Sequence, residues 1–562
     1  MIFFKLILTQ ILIHLAFGDV NFTILHINDL HAHFDELNEG GKVFGGVSRI
    51  SHLVNEFRKD AELKKSPPVF FLIAGDVFFG TVWFSLRRWK IVSDYVNLLE
   101  PDAMCLGNHE FDDSLKNLTK FIKSSNYPCL SCNTDFVTEP ELNNLVKPSI
   151  TFKIGSFKIG IIGVLTTDTL QAANCEGTVI NDEIESIKTE AQQLKESGVN
   201  VIVVLSHVGY EDDLKIAEEI EDVDIVVGGH TDTFLWTGKQ PDLESPVDDY
   251  PKEVIQKSGK TVLVVQAYAY GKYLGVLNLT FSDNGNLLNY SGNPILLSEN
   301  FPKNLNIEKL VKTHRKEIEK ETKTVIGESK THLSRHSCRY TECYLGNLLT
   351  NSFIDYINDE EPNLPYWANC SIAFANSGSI RKSIDIGNVT VDDVFQAFPY
   401  FGPLVTVEIT GETLLKVLEV SVSENADENY FNGRFLQLSG LTVTYDRSKN
   451  VGNRILRVQV RCQKCEAPQY EPIRLNENYR IITTSFLSTG GDGQQDLNKN
   501  KKNLQRYDIA DTTSVVRYFR KYKIIDLEVE EQIEMKKYES CGLRIILDEK
   551  LFFVCLFFII KD

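Results

Sequence analysis

Five apolar runs in this chain end in residues able to bind metals or carry protons. Phe22 to Ile27 runs into Asn28-Asp29-Leu30-His31, and Val69 to Ile73 leads to Ala74-Gly75-Asp76. A third segment reads Gly107-Asn108-His109-Glu110-Phe111-Asp112; two more close on Ser206-His207 and on Gly228-Gly229-His230-Thr231-Asp232. One histidine of this kind usually caps a helix or completes a core, but five coincidences at run ends do not fit that account. A donor set of carboxylate, amide and neutral imidazole suits zinc, manganese or a related divalent ion better than calcium or magnesium. It exceeds what one tetrahedral ion takes, which argues for two ions sharing a bridging carboxylate. Two ions on the order of 3.5–4 Å apart can hold water as hydroxide and stabilise phosphorus under in-line attack. His109 adjoins Asn108, and Asp112 lies one helical turn further on, so the carboxylate can orient the imidazole and favour its cation. The alternative for Asp112 is dipole matching at a helix N-terminus.

The second half carries its own clusters. Cys338 and Cys343 would enclose Arg339 in a small disulfide loop, and Asn376-Ser377-Gly378-Ser379-Ile380-Arg381 adds an amide and a second arginine. Phe398-Pro399-Tyr400-Phe401-Gly402 and Phe486-Leu487-Ser488-Thr489-Gly490-Gly491-Asp492-Gly493 each present an aromatic in a glycine-containing loop, the latter followed by a carboxylate. A base stacked on such a ring gains roughly 1–3 kcal/mol, and a guanidinium fork suits phosphate. His332 and His336 lack a carboxylate partner in sequence and are read as surface or core residues.

These residues need elements that bring them together. From residue 22 to about 280 short apolar runs alternate with helical patterns such as Val47 to Phe57 and Glu183 to Ser197. That alternation indicates an α/β sandwich whose strands are buried on both faces. In open α/β sheets the carboxyl ends of strands meet at one crevice, which would gather the five run ends. The segment Asn304 to Lys323, dense in Lys and Glu, is expected to be a solvated connecting helix. Beyond it a helix near Tyr344 to Asn358 and strands at Ile372 to Ala375, Leu404 to Ile409, Leu441 to Tyr445 and Tyr479 to Thr484 indicate a second, α+β domain. No internal repeat, phosphate-cradling Gly-Lys loop or dinucleotide fingerprint occurs.

The series Asn-Asp-Leu-His, Ala-Gly-Asp, Gly-Asn-His-Glu-Phe-Asp, Ser-His and Gly-Gly-His resembles the 5'-nucleotidase family of calcineurin-like metallophosphatases, which takes in ecto-5'-nucleotidases and arthropod apyrases. The resemblance implies an N-terminal four-layer α/β sandwich over 19–300, a linker helix over 301–325 and a C-terminal α+β nucleotide-binding domain over 326–540. It places Asp29, His31, Asp76 and Asp232 on one metal, with Asp76 bridging to a second held by Asn108, His207 and His230. Arg339, Asn376 and Arg381 would contact the nucleotide, Tyr400 and Phe486 would sandwich its base, and Asp492 would take the ribose hydroxyls. Tyr400 stands where phenylalanine is common in the family, Asp232 where an amide is frequent, and Thr350 and Ala373 replace a cysteine pair found in some members. The activity implied is hydrolysis of AMP to adenosine and phosphate, with ATP and ADP hydrolysis as the alternative; a silent nucleotide-binding or adhesion protein has no chemical need for His109 and Asp112.

Composition is consistent with this. The chain has 562 residues, 43% of them hydrophobic, enough for three to four domains at roughly 150 residues each. Its formal charge of −18, with no basic face apparent and Lys499 to Lys502 read as a short polar loop, excludes a nucleic-acid partner. Residues 1–18 fit a cleaved signal peptide. Ser540-Cys541-Gly542 followed by the apolar run Leu551 to Ile560, within 541–562, fits a glycolipid-anchor signal that would tie the protein to the cell surface; a buried terminal strand and a secreted enzyme are the alternatives. The 11 cysteines then read as disulfides first, Cys338/Cys343 and Cys462/Cys465 best placed, with a structural zinc on Cys129/Cys132 and Cys462/Cys465 as the other reading. Glycosylation sequons at Asn21, Asn117, Asn278, Asn289, Asn369 and Asn388 agree with export. Homodimerisation stays open.

Overall fold

The computed structural model describes residues 19–536 except 40, 173–174, 176, 362–366 and 424–432. The leader at 1–18 and the anchor signal, from Ser540 onward, lie outside the described residues.

Two sheets face each other in the first half. One has the order Leu287–Gly292, Tyr273–Phe281, Val20–Ile27, Val69–Ala74, Ala103–Cys105, Cys129–Leu130, with Ile295–Leu296 also on Tyr273–Phe281. The other has the order Lys252–Ile255, Thr261–Val265, Ile225–Val227, Val201–His207, Phe157–Leu165, Ser149–Ile154. The ligand-bearing strands are parallel within each sheet. Phe22 and Ile24 point into the core between the sheets with Leu72, Ile161 and Val203. Leu25 and Ile27 point outward, under helices Val47–Glu62, Val82–Leu99 and Leu115–Ser124. Val20–Ile27 therefore buries both faces, the reason its sequence is a continuous apolar run; each such side chain contributes about 1.5–3 kcal/mol. Helices Glu183–Glu196 and Tyr210–Glu219 cover the second sheet, completing four layers. The crevice lies between the ends of two packed sheets, as the expected four-layer sandwich requires.

Helix Leu305–Thr322 follows, with Asn304 capping it by accepting from the Asn306 and Ile307 amides. It is not fully solvated as its charge density suggested. Ile307, Val311 and Ile318 share one face and enter the N-terminal core, so most of the Lys and Glu residues mark the outer face, while Glu308 is buried and accepts from the Ser48 hydroxyl.

The second half is built on a five-stranded sheet in the order Leu436–Ser439, Ile372–Asn376, Asn478–Thr484, Pro403–Thr410, Lys502–Ala510. Helices Tyr344–Glu360 and Asp511–Tyr522 pack on one face, and helix Gly411–Ser421 with strands Leu441–Tyr445 and Ile455–Arg461 on the other. Phe79 and Val82, from the first half, pack against this C-terminal core. Cys338–Cys343 and Cys462–Cys465 are disulfides. The Cys462–Cys465 disulfide takes two of the four sulfurs that the structural-zinc reading needs, although Cys129 and Cys132 are free thiols. Asn369 is buried and unavailable for a glycan, while Asn21, Asn278, Asn289 and Asn388 are exposed. Among the described residues no helix is long and apolar enough to cross a membrane.

Candidate functional site

Where the strands end, the backbone turns through the left-handed region to aim side chains inward. Asp29, His31, Asp76, His230 and Asp232 all have φ between 47° and 77°, a conformation that costs a non-glycine residue about 1–3 kcal/mol and persists only when its surroundings enforce it. Here the Asp29 and His31 amides donate to the Gly75 and Asp76 carbonyls at 3.2 and 2.9 Å, lacing two loops together. Glu110 holds the second loop: its carboxylate accepts from the amides of Asp76, Val77, Phe78 and Gly107. Gly107 is required by proximity, since a Cβ there would sit 2.2 Å from Asp76 Oδ1.

All seven residues expected to bind metal come together. Asp29, His31 and Asp232 form one group with ligand atoms within 4.8 Å of one another, and Asp76, His207 and His230 form another. Asp76 reaches the first group as well, with Oδ2 3.1 Å from His207 Nε2 and 3.9 Å from His31 Nε2. Asn108 Oδ1 lies 2.9 Å from His230 Nδ1 and 3.2 Å from His207 Nε2. The Asp29 carboxylate accepts from the His230 amide, tying the two sheets together. His207 Nδ1 meets the Ala74 carbonyl at 2.8 Å, which turns Nε2 toward the site, as outer partners of metal-binding histidines do.

The electrostatics fit a pair of divalent cations. Burial raises the Asp29 carboxyl well above its ordinary range, opposed by His207 and reinforced by Asp232 and Asp76. Burial and the Asp76 charge push Asp232 up to about 6, and its buried Oδ1 has no hydrogen-bond partner among the described residues. Asp76 is held below the usual range against its burial, chiefly by His207 and His109. Burial lowers His31 to about 3 and His230 to about 4, so both present neutral imidazoles. Against its burial, Asp76 and Asp29 push His207 up to about 10, so this ring supplies counter-charge here; carboxylates clustered beside the neutral nitrogens of His31 and His230 suit a dimetal site.

His109 sits at the rim. Its Nδ1 is 2.5 Å from Asp112 Oδ2 and its Nε2 4.0 Å from Asp76 Oδ2. Burial disfavours the charged ring, but Asp112 and Asp76 outweigh it and push the imidazole up to about 9. Phe79 stacks on the ring with centroids 5.2 Å apart. Asp112 follows the turn Asn108–Phe111 and precedes the cap of the next helix, Ser114, a position that suits the imidazole contact better than dipole matching.

The opposite wall belongs to the second half. Arg339, Asn376, Arg381, Tyr400, Phe486 and Asp492 line one cleft of about 1270 Å³ together with His31, Asn108, His109 and His230. Asp29, Asp76, His207, Asp232 and Asp112 lie behind that lining. Tyr400 and Phe486 are 55% and 49% exposed, far from core-like. The Arg381 guanidinium lies 5.9 Å from the Tyr400 ring centre. Asn376 Nδ2 donates to Asp492 Oδ2 at 2.8 Å, fixing the carboxylate in a left-handed turn. His332 and His336 stay outside the cleft, and His332 pairs with Asp385 at 3.2 Å.

Several residues in and behind the cleft carry no signal of their role in the sequence. Glu110 lay inside a quoted motif without a role. Lys501, in the run read as a polar loop, lines the cleft and donates to the Ser488 carbonyl and Asn498 Oδ1. Phe79, Tyr270 and Arg506 also line it, and no local pattern marks them.

Comparison with known proteins agrees with this architecture. A family model described as calcineurin-like phosphoesterase matches residues 22–233, and one described as 5'-nucleotidase, C-terminal domain, matches residues 325–499. An apyrase of Tabanus yao is 37% identical over 495 residues, covering 86% of this chain and 88% of its own. A 5'-nucleotidase of Homo sapiens is 35% identical over 545 residues, covering 94% and 93%. Among solved structures, the 5'-nucleotidase precursor of Thermus thermophilus has a TM-score of 0.62 and 35% sequence identity, covering 92% of this chain and 99% of that one.

Proposed function

The chain belongs to the 5'-nucleotidase family of calcineurin-like metallophosphatases, a hydrolase acting on nucleotides, and from that premise we propose that it removes the 5'-phosphate of AMP outside the cell. The observation that carries this reading is one continuous cleft with the ligand clusters and His109 on one wall and two exposed aromatics, two arginines and a carboxylate on the other. Asp29, His31, Asp76 and Asp232 would hold one divalent ion and Asp76, Asn108, His207 and His230 a second, with zinc favoured by the mixed nitrogen and oxygen donors. Bound ions supply Lewis acidity and an activated water for in-line displacement at phosphorus.

The chain's own residues do the rest. Tyr400 and Phe486 take the base between them, Asp492 accepts from the ribose hydroxyls, and Arg339, Asn376 and Arg381 orient the nucleotide. His109, held by Asp112 through Nδ1, keeps a proton at Nε2 facing the phosphoryl group. From there it stabilises the developing charge and hands the proton to the departing 5'-oxygen. Residues 1–18 and the run from Ser540 onward, read as an export signal and a lipid-anchor signal, support a location at the cell surface.

Hydrolysis of ATP and ADP is the second reading, favoured by the roomy cleft and the apyrase relative. A product time course decides between them, with ATP, ADP and AMP offered separately to the purified, metal-loaded enzyme. Adenosine formed fastest from AMP is expected; rapid loss of ATP and ADP that stops at AMP would transfer the protein to the apyrases.

A further inference from the structure

Asp112 uses one carboxylate oxygen, Oδ2, on His109. Its other oxygen faces Arg506 Nη2 at 3.5 Å, and the two side chains are only 4% and 7% exposed. Arg506 belongs to strand Lys502–Ala510, which pairs with Pro403–Thr410 in the C-terminal sheet through Val405 opposite Arg506. The ion pair therefore crosses from the nucleotide-binding wall to the residue that orients the imidazole. Asp112 Oδ1 and Arg506 Nη1 have no hydrogen-bond partner among the described residues; Asp112 thus stands between two cations, His109 on one oxygen and Arg506 on the other. A buried ion pair of this kind is costly to separate, because the Arg506 guanidinium is left without the carboxylate it faces. Phe79 reinforces the link: it stacks on His109 and packs against the C-terminal core.

The geometry points to Arg506 as a positioning residue for the reaction: it fixes Asp112, and through it the His109 ring, when the C-terminal half sits against the metal-binding half as it does here. This rests on the proposed phosphohydrolase site and adds a coupling to it. The wall carrying Arg339, Arg381 and the aromatics also carries the group that completes the His109–Asp112 pair, so the dyad is ordered when the nucleotide wall is in place.

The test compares the wild type with Arg506→Gln, Arg506→Lys, Asp112→Asn and the Arg506→Gln/Asp112→Asn double variant, all as the full metal-loaded chain. Rates are measured on AMP and on p-nitrophenyl phosphate, which has no base or ribose. Wild-type turnover of the aryl ester without turnover of AMP overturns the nucleotide reading alone, and the Arg506 comparison is then read on the ester. Arg506→Gln is expected to lower kcat about 10- to 100-fold, as loss of an orienting outer partner does, while KM moves less than about threefold. Arg506→Lys should recover part of the rate, and the double variant should be no slower than Asp112→Asn alone. Independently of turnover, amide hydrogen exchange across residues 108–114 should quicken in Arg506→Gln while strand Val69–Ala74 keeps its protection. If Arg506→Gln does not fold, Arg506→Met takes its place. Unchanged kcat, a loss confined to KM, or losses that multiply in the double variant overturns the assignment.

Discussion

Glu110 grips the backbone of Asp76: its Oε2 accepts the Asp76 amide at 2.9 Å, and the same carboxylate takes the amides of Val77, Phe78 and Gly107. Asp76 is the carboxylate shared between the two ligand groups, and its φ of 52° needs such a restraint. The acid in the Gly-Asn-His-Glu motif thus acts through the main chain of a different loop, and never faces the cleft.

Glu110→Gln replaces an acceptor oxygen with an amine that faces N–H donors. Leaving buried groups unsatisfied costs about 1–3 kcal/mol. The expected outcome is a lowered unfolding midpoint together with reduced metal content after dialysis against buffered zinc. Wild-type values of both would dismiss the restraint.

Metal stoichiometry separates the ligands by role. Asp76→Asn, which weakens the shared carboxylate, is expected to lose both ions per chain, and His230→Ala only one, as read by elemental analysis of the dialysed protein. His109→Ala should keep both ions while kcat falls about 10²- to 10⁴-fold, the range of general acid catalysis. Metal loss in His109→Ala would make that residue a ligand.

The aromatic pair can be tested without disturbing the metal site. Phe486→Ala and Tyr400→Ala should each weaken AMP recognition by about 1–3 kcal/mol, seen in KM and in inhibition by adenosine. Hydrolysis of p-nitrophenyl phosphate should be unaffected. Equal losses on both substrates would point to a structural role for these rings.

His26 is a source of acid sensitivity away from the site. His26 is fully buried, with Nε2 2.8 Å from the Tyr250 hydroxyl, and burial lowers it to about 3. An unfolded chain takes up a proton at this residue below pH 6.5, the folded chain only near pH 3, so stability falls with acidification through that window by about 1.4 kcal/mol per pH unit. His26→Gln should make the loss of stability between pH 7 and pH 5 smaller by about 2 kcal/mol, measured by denaturant unfolding at both pH values. An unchanged pH dependence would show that another group dominates.

The candidate metal ligands that the fold brings together, the His109–Asp112 contact, the aromatic loops and the two close disulfides were legible in the sequence because each depends on side-chain type and short spacing. A carboxylate or imidazole at the end of an apolar run states its chemistry locally, and a run buried on both faces states its strand. The sequence by itself thus determined the α/β class, the alternation of elements and the donor set around Asp76. It misjudged Asn304 to Lys323 as solvated because Lys and Glu outnumber Ile307, Val311 and Ile318, although those three side chains carry the helix into the core, with Glu308 and Thr322 buried beside them. Only the tertiary structure decided that Glu110 restrains Asp76 and that Lys501 and Arg506 reach the cleft. The physical reason is that these contacts join segments far apart in the chain. Their geometry is set by how whole layers pack and how the two halves meet, and no local periodicity encodes the approach of Arg506 to Asp112.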